Sequence, residues 1–162
     1  SLAKLVRQIE NINHVQRLRI HTRLPIVIPE RINDEFIAWV NATRLRPIVV
    51  LHCNHPHEID DAVIASIKRL QAINVTLLNQ AVLLKNINDH ASTLIELSYK
   101  LFSAGVMPYY LHLLDRVAGS AHFEVSEENA RKIIQQMMSK LPGYLVPKLV
   151  REVAGASAKV PV

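Results

Sequence analysis

The chain holds 162 residues, 49% hydrophobic and 20% charged. That is the composition of a globular protein with enough length for one core, and it excludes a disordered chain. Nineteen Lys and Arg outweigh fourteen Asp and Glu, for a formal charge of +5. The basic residues are dispersed and aromatics are only 5%, so a solvated basic surface accounts for the charge and no nucleic-acid partner is expected. No apolar run approaches the about 18 residues that cross a bilayer, and no basic-then-apolar segment opens the chain, so no membrane partner is expected either. A lone cysteine, Cys53, excludes a disulfide framework within the chain, and equally a zinc ribbon or an iron–sulfur cluster held by its own thiolates. The default setting is reducing and cytoplasmic.

Apolar residues at three- and four-residue intervals (Leu2, Leu5, Ile9, Ile12) predict a helix over 2–12. Residues 19–28 are rich in β-branched side chains, and Pro25 and Pro29 close an extended segment. Asn33 suits the cap of a helix to about residue 44, with Asp34 and Glu35 in its first turn. Residues 47–52 lack polar alternation, as expected of a strand buried on both faces. A helix over 58–72, a strand over 75–78, a polar loop over 85–89 and a helix over 91–102 follow. Gly105 suits a left-handed cap after that helix, 106–114 reads as a strand, and Ser126 opens a helix to about residue 140. A final extended stretch runs over 144–153. Strands separated by helices imply a parallel sheet, so the fold class is α/β, and five strands are too few for a closed eight-stranded barrel.

In parallel α/β folds, ligands meet the carboxyl ends of the strands. Those ends are polar here: Arg19, His21 and Arg23; then His52, Cys53, Asn54, His55 and His57; then Asn79 and Gln80; then Asp115; and finally the run from Gly155 to Lys159. His52, His55, His57 and Cys53 could offer ligands to zinc, but strand alternation points neighbouring residues apart, and hydrogen-bonding histidines are preferred. No metal ligand is assigned. Asp115 is either a loop carboxylate paired with Arg116 or an acceptor for a bound cation. Lys159 is either tail charge or, among small residues that allow close backbone approach, a functional amine.

Several ordered segments carry a more specific signal. Residues 17–29, the run Leu78-Asn79-Gln80-Ala81-Val82-Leu83-Leu84, the run Met107-Pro108-Tyr109-Tyr110-Leu111-His112-Leu113-Leu114-Asp115, Gly119-Ser120-Ala121-His122-Phe123, and residues 143–152 through Lys159 together resemble the lysine 2,3-aminomutase family, nearest its elongation factor P-associated bacterial branch. The resemblance spans essentially the entire chain. It implies a partial parallel (β/α) barrel, the C-terminal part of a radical S-adenosylmethionine barrel, and an isomerase that converts L-lysine to β-lysine by migration of the amino group. It further implies three cofactors: S-adenosylmethionine, a [4Fe–4S] cluster and pyridoxal phosphate. Carried over by position, Lys159 matches the lysine that binds pyridoxal phosphate through a Schiff base, and Asp115 matches the carboxylate that pairs with the side-chain ammonium of substrate lysine. Glu152 stands where free-lysine members place a second aspartate, and His52 and Gln80 fall where the family contacts S-adenosylmethionine.

Two departures accompany the match. Glu152 extends its carboxylate by one methylene, and the run Gly155-Ala156-Ser157-Ala158 replaces a near-continuous glycine stretch. The family's three-cysteine motif is absent, so residues 1–162 are expected to be the C-terminal half of the catalytic barrel, with the cluster ligands outside this chain. Alone, the 162 residues are expected to be inactive. The chain opens on Ser1 within a helical pattern and stops soon after a hydrophobic stretch, which also fits a piece of a longer protein. Two alternatives remain: a half-barrel binding module without radical chemistry, and an aminomutase for another amino acid such as glutamate, against which Asp115 argues by charge repulsion. An open sheet edge also predicts pairing with a second copy.

Overall fold

The computed structural model describes residues 2–115 and 117–162. Helix α1 (Leu2–Glu10) is followed by strand β1 (Arg17–Thr22), the single turn α2 (Leu24–Val27), α3 (Asp34–Ala42) and β2 (Arg46–His52). Then come α4 (Asp61–Gln71), β3 (Thr76–Val82), α5 (Ala91–Ser103), β4 (Met107–His112), α6 (Glu127–Met138), β5 (Lys148–Arg151) and β6 (Val160–Pro161). Among the described residues no helix is long and apolar enough to cross a membrane.

The helix starts follow side-chain caps. Asn33 Oδ1 accepts from the Phe36 amide at 2.9 Å, Asp60 Oδ1 from Val63 at 2.8 Å, and Ser126 Oγ from Asn129 at 3.3 Å, each satisfying an amide the helix cannot. Asp60 therefore starts α4 three residues later than the expected 58, and Pro56–Glu58 forms a separate 3-10 turn. Gly105 adopts φ +81° after α5, as the sequence predicts. Residues 24–27, expected to be extended, form a helical turn instead, with Pro25 near its start, where a missing N–H costs nothing. Helix α1 ends at Glu10, two residues short of the expected 12; Val6 is its buried residue, while Leu2, Leu5 and, beyond its end, Ile12 stay exposed.

The six strands lie in the order β1-β2-β3-β4-β5-β6; the first five are parallel and β6 is antiparallel to β5. One sheet face is apolar. Val49, Leu51, Leu77, Ala81, Leu111 and Leu149 join Ile67, Leu70, Leu94, Leu101, Ile133 and Met137 of the helices in one core. Along β3 burial alternates, with Leu77, Asn79 and Ala81 buried and Thr76, Leu78, Gln80 and Val82 half-buried. This is the pattern of a sheet whose second face is left uncovered by helices.

The register shifts between β3 and β4: Asn79 pairs with Pro108, but Gln80 pairs with Tyr110, leaving Tyr109 as an extra residue. Pro108 cannot donate to a ladder, and a bulge absorbs the break. Tyr110 and His112 thereby stand on the same face as Gln80 and Val82.

Asparagines continue the ladder beyond the strand ends. Asn79 accepts from the Cys53 amide at 2.9 Å and donates to its carbonyl at 3.0 Å. Asn54 Oδ1 accepts from the Val82 amide at 2.9 Å. Asn88, fully buried, donates to the carbonyls of Asn54 and Val82 at 2.8 and 2.9 Å and accepts from the Leu84 amide at 2.7 Å. Replacing it strands three backbone groups of half-buried residues, the carbonyls of Asn54 and Val82 and the Leu84 amide. Asn88→Ala is therefore expected to lower stability by about 3 kcal/mol in denaturant unfolding, with a change below about 1 kcal/mol excluding this role.

Candidate functional site

At the carboxyl edge, the face without helices gathers polar side chains. His52 lies beside Gln80, and Gln80 beside Tyr110, in consecutive strands. The His21 and His52 rings meet edge-on with centroids 5.9 Å apart, and Tyr110 and His112 do the same at 5.7 Å. Among the described residues, three buried atoms on this face have no hydrogen-bond partner: His52 Nε2, Gln80 Oε1 and His112 Nε2. Buried polar atoms normally find partners, so a row of three orphans marks where a polar ligand completes the structure. β3 runs on to Val82, four residues past the strand end expected at Leu78, so Gln80 projects from within the strand. Its neighbour Asn79 is committed to the Cys53 backbone.

The last strand completes the arrangement. The expected continuous extended segment over 144–153 is divided: Gly143–Leu145 is a 3-10 turn and only Lys148–Arg151 pairs as β5. The chain then turns at Gly155, whose φ is +81°, with the Ala156 amide bonded to the Val153 carbonyl at 3.0 Å. It returns as β6, which the sequence reading does not anticipate. Val160 pairs with Arg151, so the next step outward sets Lys159 opposite Glu152, and the two form an ion pair. The Lys159 ammonium also lies 5.6 Å from the Tyr110 ring centroid.

Glu152 and Asp115 line one cavity of about 850 Å³, together with Glu124, Glu127 and Arg151. Asp115 lies three residues beyond the end of β4, in the loop after the strand. Arg116, the neighbour expected to neutralise it, lies outside the described residues. Glu127 accepts from Arg131 at 2.7 Å and from Arg151, which hold its carboxyl below the usual range. Lys159 does the same for Glu152 through their hydrogen bond.

His112 lies near enough to feel the charges of both acids and of the amine. It is 7% exposed. Burial lowers its pKa first and the Lys159 charge next, while Glu152 and Asp115 oppose the shift. His52 is lowered by burial, then by His21, Arg23 and Lys159; His21 is lowered by burial, Arg19 and Lys159, while the Gln80 side chain opposes the shift. The three imidazoles are thus held neutral on a face that Lys159 reaches.

The other histidines do different work. The His55 and His57 rings meet edge-on with centroids 4.5 Å apart, and His55 Nδ1 accepts from the His57 amide at 3.2 Å while capping the 3-10 turn. Glu58 accepts from the amides of Asn54 and His55 and pairs with Arg23, tying β1 to β2. Cys53 is fully buried, its thiol pushed up to about 12, chiefly by burial. Among the described residues no group of three His, Cys, Asp or Glu side chains is placed to hold a metal.

The structure therefore brings His52, Gln80, Asp115, Glu152 and Lys159 to one edge of the sheet. Sequence reasoning missed His112 and Tyr110 as site residues. Their two-residue spacing at a strand end was the available signal, hidden by the bulge at Tyr109. The buried imidazoles also give a pH signature. A folded-state pKa below the usual 6.5 for His112 means that the unfolded chain binds more protons, so stability is present above that value and is lost as pH falls through the folded value. His112→Asn is expected to flatten the acid limb of a stability–pH curve; an unchanged limb would show that His112 does not set it.

No family model matches the sequence. Curated relatives do. The L-lysine 2,3-aminomutase of Haemophilus influenzae is 55% identical over 158 residues, covering 98% of this chain and 47% of the relative. That of Escherichia coli is 49% identical over 158 residues, covering 98% and 46%, and that of Clostridium subterminale is 32% identical over 163 residues, covering 100% and 39%. The chain spans about half the length of the curated relatives it matches or less. Two solved structures share the fold at 14% identity: a radical SAM methyltransferase from Sphaerobacter thermophilus (TM-score 0.60, 85% of this chain and 41% of that one) and a domain of pyruvate-formate lyase-activating enzyme from Bacteroides vulgatus (TM-score 0.61, 94% and 89%). The fold shared with both is a mostly parallel α/β sheet that fits part of a barrel.

Proposed function

We propose that this chain belongs to the L-lysine 2,3-aminomutase family, supported by 55% identity to one such enzyme over 158 residues, and that it is the C-terminal half of a catalytic barrel that holds pyridoxal phosphate and the side-chain end of L-lysine. The observation that carries the reading is the convergence of Asp115, Glu152 and Lys159, from three separate stretches, around the buried His112.

The residues present fit the cofactors the family implies. Lys159 would hold pyridoxal phosphate, its amine being brought beside the cavity by β6. The orphaned atoms of His52 and Gln80 suit the hydroxyl and amine groups of S-adenosylmethionine lying along the strand ends. The iron–sulfur cluster has no ligands here, because three thiolates are needed and Cys53 is single and buried. When bound, these groups supply the radical chemistry that moves an amino group between adjacent carbons. The protein's own part is placement. Asp115 and Glu152 line the cavity as carboxylates suited to a cationic chain end, and a substrate ending in a carboxylate would meet repulsion there, which favours lysine over glutamate. The uncovered sheet face limits water once a ligand lies against it. The product would be β-lysine, and the branch of the family that the sequence resembles directs it to elongation factor P.

In the full-length protein, Lys159→Ala is expected to abolish the absorbance band that pyridoxal phosphate gives on binding, and an unchanged band would reject the role of Lys159. Asp115→Asn is expected to raise the KM for lysine roughly tenfold or more, the cost of one lost charged hydrogen bond; an unaltered KM would remove Asp115 from the substrate site. Residues 1–162 alone, given iron, sulfide, reductant and S-adenosylmethionine, are expected to gain no iron–sulfur absorption and form no β-lysine. Turnover by that segment would overturn the division of labour.

A further inference from the structure

Basic residues are dispersed along the sequence, but the sheet gathers four of them at its amino-terminal edge. Arg17 and Arg46, the first residues of β1 and β2, are register partners. Arg46 precedes His52 by an even number of strand steps, so both arginines lie on the helix-free face that carries His52. Arg19 follows on the same face of β1, and Lys148, the register partner of Tyr110, extends the group on β5. All four are exposed. Among the described residues none of the four has an ion pair or a side-chain hydrogen bond, whereas Arg23, Arg69, Arg131 and Arg151 each meet a carboxylate. Like charges set side by side in neighbouring strands repel.

The face that bears them is concave. The Tyr109 phenol, raised by its hydrogen bond to Tyr110 and by burial, is pulled the other way by the charges of Arg19 and Lys148. Arg19 is three strands from Tyr109, about 14 Å at the usual strand spacing, so the sheet curls to bring its charge within range. β1 is also the outer strand of the sheet, with an unpaired edge. On the opposite face of that strand an apolar cavity of about 380 Å³ opens among Leu2, Ile20, Leu24, Phe36 and Trp39. Whatever covers the β1 edge therefore meets apolar side chains on one side and cations on the other, which suits a polypeptide better than a small anion. Enclosing unpaired cations is costly, and carboxylates are the groups that offset the cost.

Resting on the half-barrel reading, we infer that Arg17, Arg19, Arg46 and Lys148 form an ion-pairing surface for carboxylates on the remainder of the full-length protein. The relatives have the chain to supply them, since these residues cover only 47% of the Haemophilus influenzae enzyme. The two ends of the helix-free face then differ in kind. The carboxyl end keeps Asp115 and Glu152 for a cationic ligand, while the amino end is closed by charge pairing within the protein.

The first test is thermal unfolding of the full-length protein. Arg19→Gln and Lys148→Met are each expected to lower the melting midpoint by about 3 °C or more, since each leaves an enclosed carboxylate without its partner. Lys68→Gln, at an exposed cation of α4 without an ion pair among the described residues, is expected to leave the midpoint unchanged. A solvated, self-repelling rim gives the opposite sign: midpoints equal to wild type or higher in both variants overturn the pairing. The second test is zero-length carbodiimide coupling of the cofactor-free full-length protein, which joins an amine to a carboxylate in contact with it. Lys148 is expected to be joined to a peptide from outside these 162 residues, with the Lys159–Glu152 link as internal standard. Destabilised variants without that Lys148 link overturn the inference. A Lys148 link found only between isotopically distinct copies does so too, and assigns the surface to a second molecule. A wild-type midpoint raised by inorganic phosphate, with no rise in the two variants, assigns it to a small anion instead. β-Lysine formation by wild type is assayed alongside. Its absence removes the aminomutase reading and leaves the charge pairing to the two tests above, whereas turnover with unmoved midpoints removes the charge pairing alone.

Discussion

Parallel pairing sends the carboxyl ends of five consecutive strands to one edge of the sheet, and everything functional in this chain depends on that constraint. Helices cover one face and bury it in a continuous apolar core. The alternation of side chains along each strand then leaves the other face for polar groups. His21, His52, Gln80, Tyr110 and His112 are side by side because neighbouring strands are in register, although they are scattered in sequence. Each was free to be polar because its neighbours in the strand supply the burial.

Much of the architecture was legible in the sequence because its signals are local. The caps at Asn33 and Ser126, the left-handed glycine at 105 and the unbroken apolar run of β2 each act over a few residues. What was not legible depends on distant partners. The run over 24–27 carries β-branched residues that suit a strand, yet Pro25 and Ile26 pack into the body of the protein as a helical turn. β6 is two residues long and exists only because β5 offers an edge. The bulge at Tyr109 depends on which residue of β3 faces Pro108. For the site, Asp115, Glu152 and Lys159 were legible through resemblance. His112 was not singled out, since its significance comes from an unpartnered nitrogen among charges contributed by other elements.

The antiparallel return of β6 departs from the parallel rule, and it has a geometric use. A parallel continuation would carry the chain away across another helix, whereas a hairpin-like return brings a residue back beside the strand just completed. Residues 153–158 are mostly small, and the one position that needs a left-handed backbone is glycine. The side chains elsewhere in that run are compatible with the turn, so the departure from a polyglycine stretch leaves the amine in reach of the acids. Electrostatics then divides the cavity: Arg151 and Arg131 balance Glu127, while Lys159 balances Glu152.

Cys53 sits beneath this surface, with a thiol fully shielded from solvent and a pKa raised to about 12. At neutral pH almost none of it is thiolate, the form that attacks alkylating reagents. These residues are therefore silent towards maleimides in the folded state. A cysteine introduced at the mouth of the cavity would be the sole reactive thiol of this part of the protein, giving a background-free attachment point for a fluorophore or spin label.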